Sequence, residues 1–249
     1  MTEPSFVALA SAAGIAALVV GFLKTSVGGG IGLVLTPVLS LFLPAQVVLG
    51  LTAVQLNVSD PITLRYYWRQ WEGRQLRLML PTLLLGILLG GWALSGLSDA
   101  ALKKAIGLVA LVGALVQLAI LRGWLRFGRA PSHWSVASVL GLLAGGASAV
   151  AHAGGIVLGP YLVGLGLSNA AVVATTSALV AVSNVLKLVT YWGIGFLSWP
   201  LVALSLLSTP VIYLGAWLGY RLNRWIPRAW FALILLAIAL LGSLRLLLA

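Results

Sequence analysis

Gly28-Gly29-Gly30-Ile31-Gly32-Leu33-Val34-Leu35-Thr36-Pro37 is the stretch that sets the reading of this chain. Four glycines and a proline within ten residues weaken an ordinary helix, because glycine frees the backbone and proline removes a hydrogen-bond donor. Yet the stretch is apolar and sits in an apolar chain. Irregular backbone at bilayer depth survives only where protein or a water-filled cavity satisfies its polar groups, so the segment points to a cavity. Its echo, Gly154-Gly155-Ile156-Val157-Leu158-Gly159-Pro160, points to one cavity built from two halves.

Composition gives the setting. The 249 residues are 61% hydrophobic and 8% charged, with a mean hydropathy of +1.10, far from the mix of a soluble domain. This predicts an all-α polytopic membrane protein, multi-pass in the cell inner (plasma) membrane. At roughly 20 residues per crossing the length allows about ten segments and leaves nothing for a soluble domain. Eleven arginines and four lysines give a net charge of +11, but they sit mostly in short connections between apolar runs. That is a topological signal, and nucleic acid is not expected as a partner. The absence of cysteine excludes disulfides and thiolate metal sites. Met1-Thr2-Glu3-Pro4 lacks the basic start of a cleaved signal peptide, so the first apolar run is expected to stay in the mature protein.

The apolar runs are 6–23, the glycine stretch to about 43, 45–64, 78–97 and 102–121, followed by 134–151, 154–167, 168–189, 199–220 and 229–248. The second series repeats the first. Adding 123 carries Gly32 through Pro37 onto Gly155 through Pro160, and adding 124 carries Tyr67-Trp68 onto Tyr191-Trp192 and Asp60 onto Asn184. Adding 129 carries Pro81, Gly86, Gly90 and Gly113 onto Pro210, Gly215, Gly219 and Gly242. Two homologous membrane repeats, 1–130 and 131–249, then form one integrated transport domain.

Charge sets the orientation. The loop Arg65 to Arg77 and the connector Arg122 to Arg129 are basic, which places both in the cytoplasm, with Lys103 and Lys104 as a minor breach. In the second half the bias reverses: Tyr191 to Ser198 is uncharged, while Arg221, Arg224 and Arg228 crowd the next connection. An inverted repeat of five plus five segments follows, with short, discontinuous glycine segments; a parallel four-plus-four arrangement of full spans is the alternative. The aromatic groups Tyr66, Tyr67, Trp68, Trp71 and Tyr191-Trp192 read as interfacial anchors.

Polar residues inside lipid-embedded segments are costly and are functional candidates by default. A helix that begins at a glycine break leaves unpaired amides and a positive dipole end aimed at one spot, which suits an anion. Gly29, Gly30 and Gly32 in the first half and Gly154 and Gly155 in the second are therefore candidate binding positions. Gln55, Asn57, His152, Thr176, Ser177 and Asn184 are the side chains expected to help, with Asp60 and Lys187 as candidates for coupling. Each has a structural alternative: glycines can serve close helix packing, His152 a buried hydrogen bond, Asp60 a turn, and Lys187 or Lys24 can snorkel to an interface. One membrane carboxylate and no cysteine make a metal site improbable, and no cofactor is expected.

The glycine segments with their downstream Pro37 and Pro160, and the repeat that spans almost the whole chain, resemble the sulfite exporter TauE/SafE family of membrane permeases. The resemblance implies transport of sulfite or a small organosulfonate such as sulfoacetate, usually as export from the cytoplasm. The second glycine stretch departs from the first, with Ala151-His152-Ala153 where the first has Gly28-Gly29-Gly30. A secondary transporter with alternating access at a midplane site between the glycine segments is the expectation; a channel-like anion pathway, or a permease for another small organic acid, is the alternative. An enzyme is not expected, because Gly-x-Ser-x-Gly, His-Glu-x-x-His and a second membrane carboxylate to pair with Asp60 are all missing, and no phosphate loop is present. The expected partners are a small anion and the bilayer; the oligomeric state is not legible.

Overall fold

The computed structural model describes residues 6–26, 31–125, 130–222 and 228–248. Gly28, Gly29 and Gly30 lie outside the described residues, as do Arg126, Arg129 and Arg224. Every regular element among the described residues is an α-helix, as expected where lipid offers no partner to backbone amides and carbonyls. In chain order these are α1 (Phe6–Ser26), α2 (Ile31–Ser40), α3 (Ala45–Tyr66), α4 (Gly73–Leu94), α5 (Asp99–Leu121), α6 (Trp134–Ala151), α7 (Gly154–Gly164), α8 (Asn169–Gly193), α9 (Trp199–Leu207), α10 (Thr209–Leu222) and α11 (Arg228–Leu248).

Among the described residues α3, α4, α5, α6 and α8 are long and apolar enough to cross a membrane, and α9 with α10 forms a sixth candidate span bent by 43°. Shorter apolar runs lie at Leu9–Lys24, Ile31–Ser40, Gly154–Gly164 and Ala232–Leu248. Most boundaries differ from the sequence reading by one to five residues, and α8 runs on to Gly193 and so takes in Tyr191 and Trp192; two differences have a local cause. Helix α4 begins at Gly73 rather than 78, because the Glu72 carboxylate accepts from Arg74 N at 3.2 Å and caps the first turn, so Arg74 and Arg77 stand on a helix. The run 199–220 is split, because the Ser208 and Thr209 hydroxyls each donate to a carbonyl three residues back, at 2.6 Å, just ahead of Pro210.

Helix α3 runs through the centre of the bundle. Val48, Leu49, Leu51, Ala53 and Thr52 are fully buried on it, whereas α4 and α5 turn Leu85, Leu88, Trp92, Leu108 and Leu115 outward. Two helix crossings brace this centre. Helix α4 meets α6 at Gly86 and Gly145, where an added Cβ would collide with the Leu142 and Leu83 carbonyls; α1 meets α10 at Gly21 and Gly215, facing the Ile212 and Leu18 carbonyls in the same way. Without a hydrophobic drive between helices in lipid, such close approach is how packing energy is gained.

Helices α6 and α7 form a hairpin. Its open end is closed by Ala130 N donating to the Gly164 carbonyl at 2.8 Å, and its tip, His152-Ala153, lies inside the bundle. The start of α2 rests on that tip: a Cβ on Gly32 would strike the Ala151 and His152 carbonyls, and the Thr36 hydroxyl donates to the Ala151 carbonyl at 3.2 Å.

Candidate functional site

Helices α3 and α8 run antiparallel along one another. Asn57 Nδ2 donates to the Asn184 carbonyl at 3.0 Å, and further along α3's direction Glu72 N donates to Thr175 Oγ1 at 2.9 Å, a position earlier on α8. On α8 the residues Thr176, Val180, Asn184, Lys187 and Tyr191 recur at intervals of three or four and so share one face. That stripe is aimed at α3 and at the α6–α7 tip.

At the tip, His152 caps α6 in the left-handed conformation, with φ 53° and ψ 28°. A non-glycine residue pays about 1–2 kcal/mol for that backbone, so its surroundings must hold it there. They do so at both ring nitrogens: Lys187 Nζ lies 2.9 Å from Nδ1, and Thr52 Oγ1 lies 2.8 Å from Nε2. With Lys187 as an ammonium, which can only donate, the network assigns Nδ1 as the acceptor and Nε2 as the protonated nitrogen. Thr52 takes that proton as acceptor and passes its own to the Val48 carbonyl at 2.6 Å. The result is a relay from Lys187 through His152 to the backbone of α3. The two-residue link from α6 to α7 is tight, since a Cβ on Gly154 would stand 2.8 Å from the Ala144 carbonyl.

A second cluster lies on the same pair of helices. Asp60 on α3 forms an ion pair with Lys24 on α1, and Asn184 Nδ2 donates to its other oxygen at 2.6 Å. Both charged side chains are more than nine-tenths buried. Asp60 and Asn184, 124 residues apart in the chain, thus touch each other directly. Lys187 is within electrostatic range of Asp60 and Lys24, so the two clusters form one polar centre of two lysines and one carboxylate. Nearby, α7 begins at Gly154-Gly155 without a side-chain cap.

The sequence-derived candidates fall into four groups. Asn57, Asp60, His152, Asn184 and Lys187 come together, and Gly32, Gly154 and Gly155 frame the tip beside them. Thr176 and Ser177 are buried about two turns away on α8, with the Thr176 hydroxyl unpartnered. Gln55 is turned away, its amide donating to the Ala13 carbonyl at 2.9 Å and to Ser208 Oγ at 3.1 Å. Gly29 and Gly30 lie outside the described residues.

Three structural alternatives give way. Lys187 is 1% exposed and does not snorkel, Lys24 is spent on Asp60, and Asp60 is buried at 5% rather than meeting solvent. Tyr191 is no interfacial anchor: it is fully buried, its hydroxyl donates to the Ala149 carbonyl at 2.6 Å, and its ring packs on His152 and Phe196. Its neighbour Trp192 is the exposed member of the pair. Thr52 escaped the sequence reading, although adding 124 carries it onto Thr176, which did not. Among the described residues no group of three metal-ligating side chains is assembled.

An all-helical bundle with helices long and apolar enough to cross a membrane, closed around a buried polar centre, is the architecture of an integral membrane protein. The family model described as sulfite exporter TauE/SafE matches residues 13–246, and the chain belongs to that family. No curated protein and no solved structure matches it.

Proposed function

We propose that the chain is a secondary transporter that exports a small sulfur oxyanion, sulfite or an organosulfonate such as sulfoacetate, by alternating access around the centre where the α6–α7 tip meets α2, α3 and α8. The observation that carries this reading is the make-up of the buried centre: two lysines, Lys24 and Lys187, against the one carboxylate of Asp60. With both lysines protonated, one positive charge is left over. Holding an unpaired charge at mid-depth costs about 2.5–3.5 kcal/mol on the translocon scale. A monoanion at about 4 Å returns about 4 kcal/mol at an effective dielectric of 20, enough to offset it. Lys187 and the first amides of α7 would hold the anion; His152 would orient Lys187, and Asn184 and Thr176 offer the unpartnered oxygens of a polar path toward the basic end.

The halves are read as an inverted repeat of five plus five segments in the inner membrane. The antiparallel course of α3 and α8, and the contact of the matched pair Asp60 and Asn184, support that symmetry. Inverted halves with two glycine-braced crossings allow one half to rock against the other about a fixed site. The near-complete burial of Thr52, Asn184 and Lys187 favours an occluded, gated carrier over an open channel.

Flux of labelled sulfite and sulfoacetate from proteoliposomes tests the proposal. A carrier gives saturable efflux that accelerates when unlabelled substrate is present outside. Efflux that neither saturates nor exchanges marks a channel, and no flux of any small oxyanion removes the transport reading.

A further inference from the structure

A groove of about 1090 Å³ opens between α4, α5, α6 and α7. Leu89, Val112 and Leu143 on its walls are also half-exposed on the outer surface, so the groove communicates with the bilayer rather than with the charged centre. Its far end reaches Ala153 at the hairpin tip; its mouth is at Ala130, Pro131 and Tyr161. Charged side chains are absent from the lining, so the groove cannot desolvate a sulfur oxyanion and does not belong to the transport site.

Two features at the mouth point to an occupant with a polar end. Tyr161 is buried, lines the groove, and its hydroxyl has no hydrogen-bond partner, a rare condition for a buried polar group. Arg74, exposed on α4, holds the Ser132 carbonyl at 3.4 Å beside Pro131 and lies near enough to Tyr161 to interact with it electrostatically. Arg77 and Arg122 stand at the same end of the bundle. The matching place in the other half needs no filler, because α2 packs directly on α11 there, whereas α7 and α5 are not packed together in that way.

We infer that the groove binds an anionic phospholipid, with an acyl chain along the α4–α7 walls, an ester carbonyl at the Tyr161 hydroxyl and the phosphate at Arg74. Apolar chain, acceptor and anion then follow one another in the order in which walls, hydroxyl and guanidinium are arranged. A helix from a second copy fits poorly, because it would have to bring a free carboxylate to the mouth. The described carboxylates are engaged already: Asp60 with Lys24 and Asn184, Asp99 with Lys103 and Ala45 N, and Glu72 as the cap of α4. The basic end places the lipid in the cytoplasmic leaflet, where anionic headgroups concentrate.

The test is native mass spectrometry of the full chain re-extracted from vesicles of equal parts phosphatidylcholine and phosphatidylglycerol. The wild type should carry phosphatidylglycerol in preference to phosphatidylcholine. Gly146 lines the groove and a Cβ there meets nothing within 4 Å, so Gly146→Leu fills the groove from within and should lose both lipids. Arg74→Gln leaves the walls intact and should retain lipid while its preference for phosphatidylglycerol falls about fivefold, the weight of one basic side chain at an anionic surface. Equal retention of the two lipids by the wild type, or an unchanged preference in Arg74→Gln, overturns the inference. So does a disulfide between two copies of a Leu143→Cys variant formed in the same vesicles, which would put a second chain on the groove.

Discussion

Lys187 Nζ stands 2.9 Å from His152 Nδ1, which joins a fully buried lysine on α8 to the strained tip of the α6–α7 hairpin. This contact orients the one lysine of the centre that has no carboxylate in contact. It also explains how a left-handed histidine is tolerated: the ring is tied to α8 on one side and to Thr52 of α3 on the other.

Lys187→Met keeps most of the side-chain volume and removes the charge. Exchanging a buried ion for a hydrophobic side chain of similar size is often neutral or stabilising, but His152 Nδ1 loses its partner at a cost of about 1–3 kcal/mol, so the melting temperature in detergent should hold or fall slightly. Efflux of sulfite from proteoliposomes should fall at least about tenfold, equivalent to 1.4 kcal/mol of lost binding. Wild-type efflux at a wild-type melting temperature would remove Lys187 from the anion site.

Lys24 and Asp60 behave differently because each is the other's countercharge. Lys24→Met or Asp60→Asn alone strands one buried charge, and each should cost about 3–5 kcal/mol of stability. The double variant strands neither and should recover much of the loss. Unfolding of the four proteins in detergent gives the coupling energy directly. Additive losses would mean that the pair is not a unit.

Gly32 and Gly159 separate packing from mere composition. A Cβ on Gly32 has no room against the Ala151 and His152 carbonyls, while one on Gly159 meets nothing within 4 Å. Gly32→Ala should therefore push α2 off the hairpin tip and lower both stability and flux. Gly159→Ala should leave flux unchanged and gain slightly in stability, since alanine is favoured over glycine by about 1 kcal/mol inside a helix. A thermal melt and an efflux assay on both variants check the contrast, and similar behaviour of the two would refute it.

What could be read from the sequence was whatever rests on local pattern. The break before Gly154 and the membrane helices follow from glycine placement and hydropathy, and Asp60 and Asn184, both singled out as buried polar candidates, do touch. Facing was harder to read. Gln55 and Thr52 are three residues apart on α3, yet one turns to α1 and α10 and the other to His152, and hydropathy does not distinguish the two faces of a wholly buried helix. Tyr191 sits at the end of an apolar run, as an interfacial tyrosine does, and only its partner 42 residues away, the Ala149 carbonyl, shows that it points inward. Pro81 and Pro210 are matched in the repeat, but α4 continues through the first while the chain bends at the second; the difference lies in Ser208 and Thr209, whose hydroxyls compete for helix carbonyls.

The loop around Gln70 and its repeat counterpart ending at Ser198 give the sharpest test of the two-half architecture. Gln70 follows α3 near Thr175 at the start of α8, and Ser198 follows the end of α8. The 25 residues of α8 separate them by about 37 Å at 1.5 Å per residue, so they lie at opposite ends of the bundle. Both side chains are exposed, and the chain has no cysteine of its own, so Gln70→Cys and Ser198→Cys can each be made as the sole thiol. An impermeant maleimide added outside intact cells should label Ser198→Cys and not Gln70→Cys. The reverse should hold in inside-out vesicles, with Gln70 on the side of Arg69, Arg74 and Arg77. Labelling of both from one side would restore the parallel arrangement of full spans, and with it the fixed, shared centre between α3 and α8 would lose its symmetry.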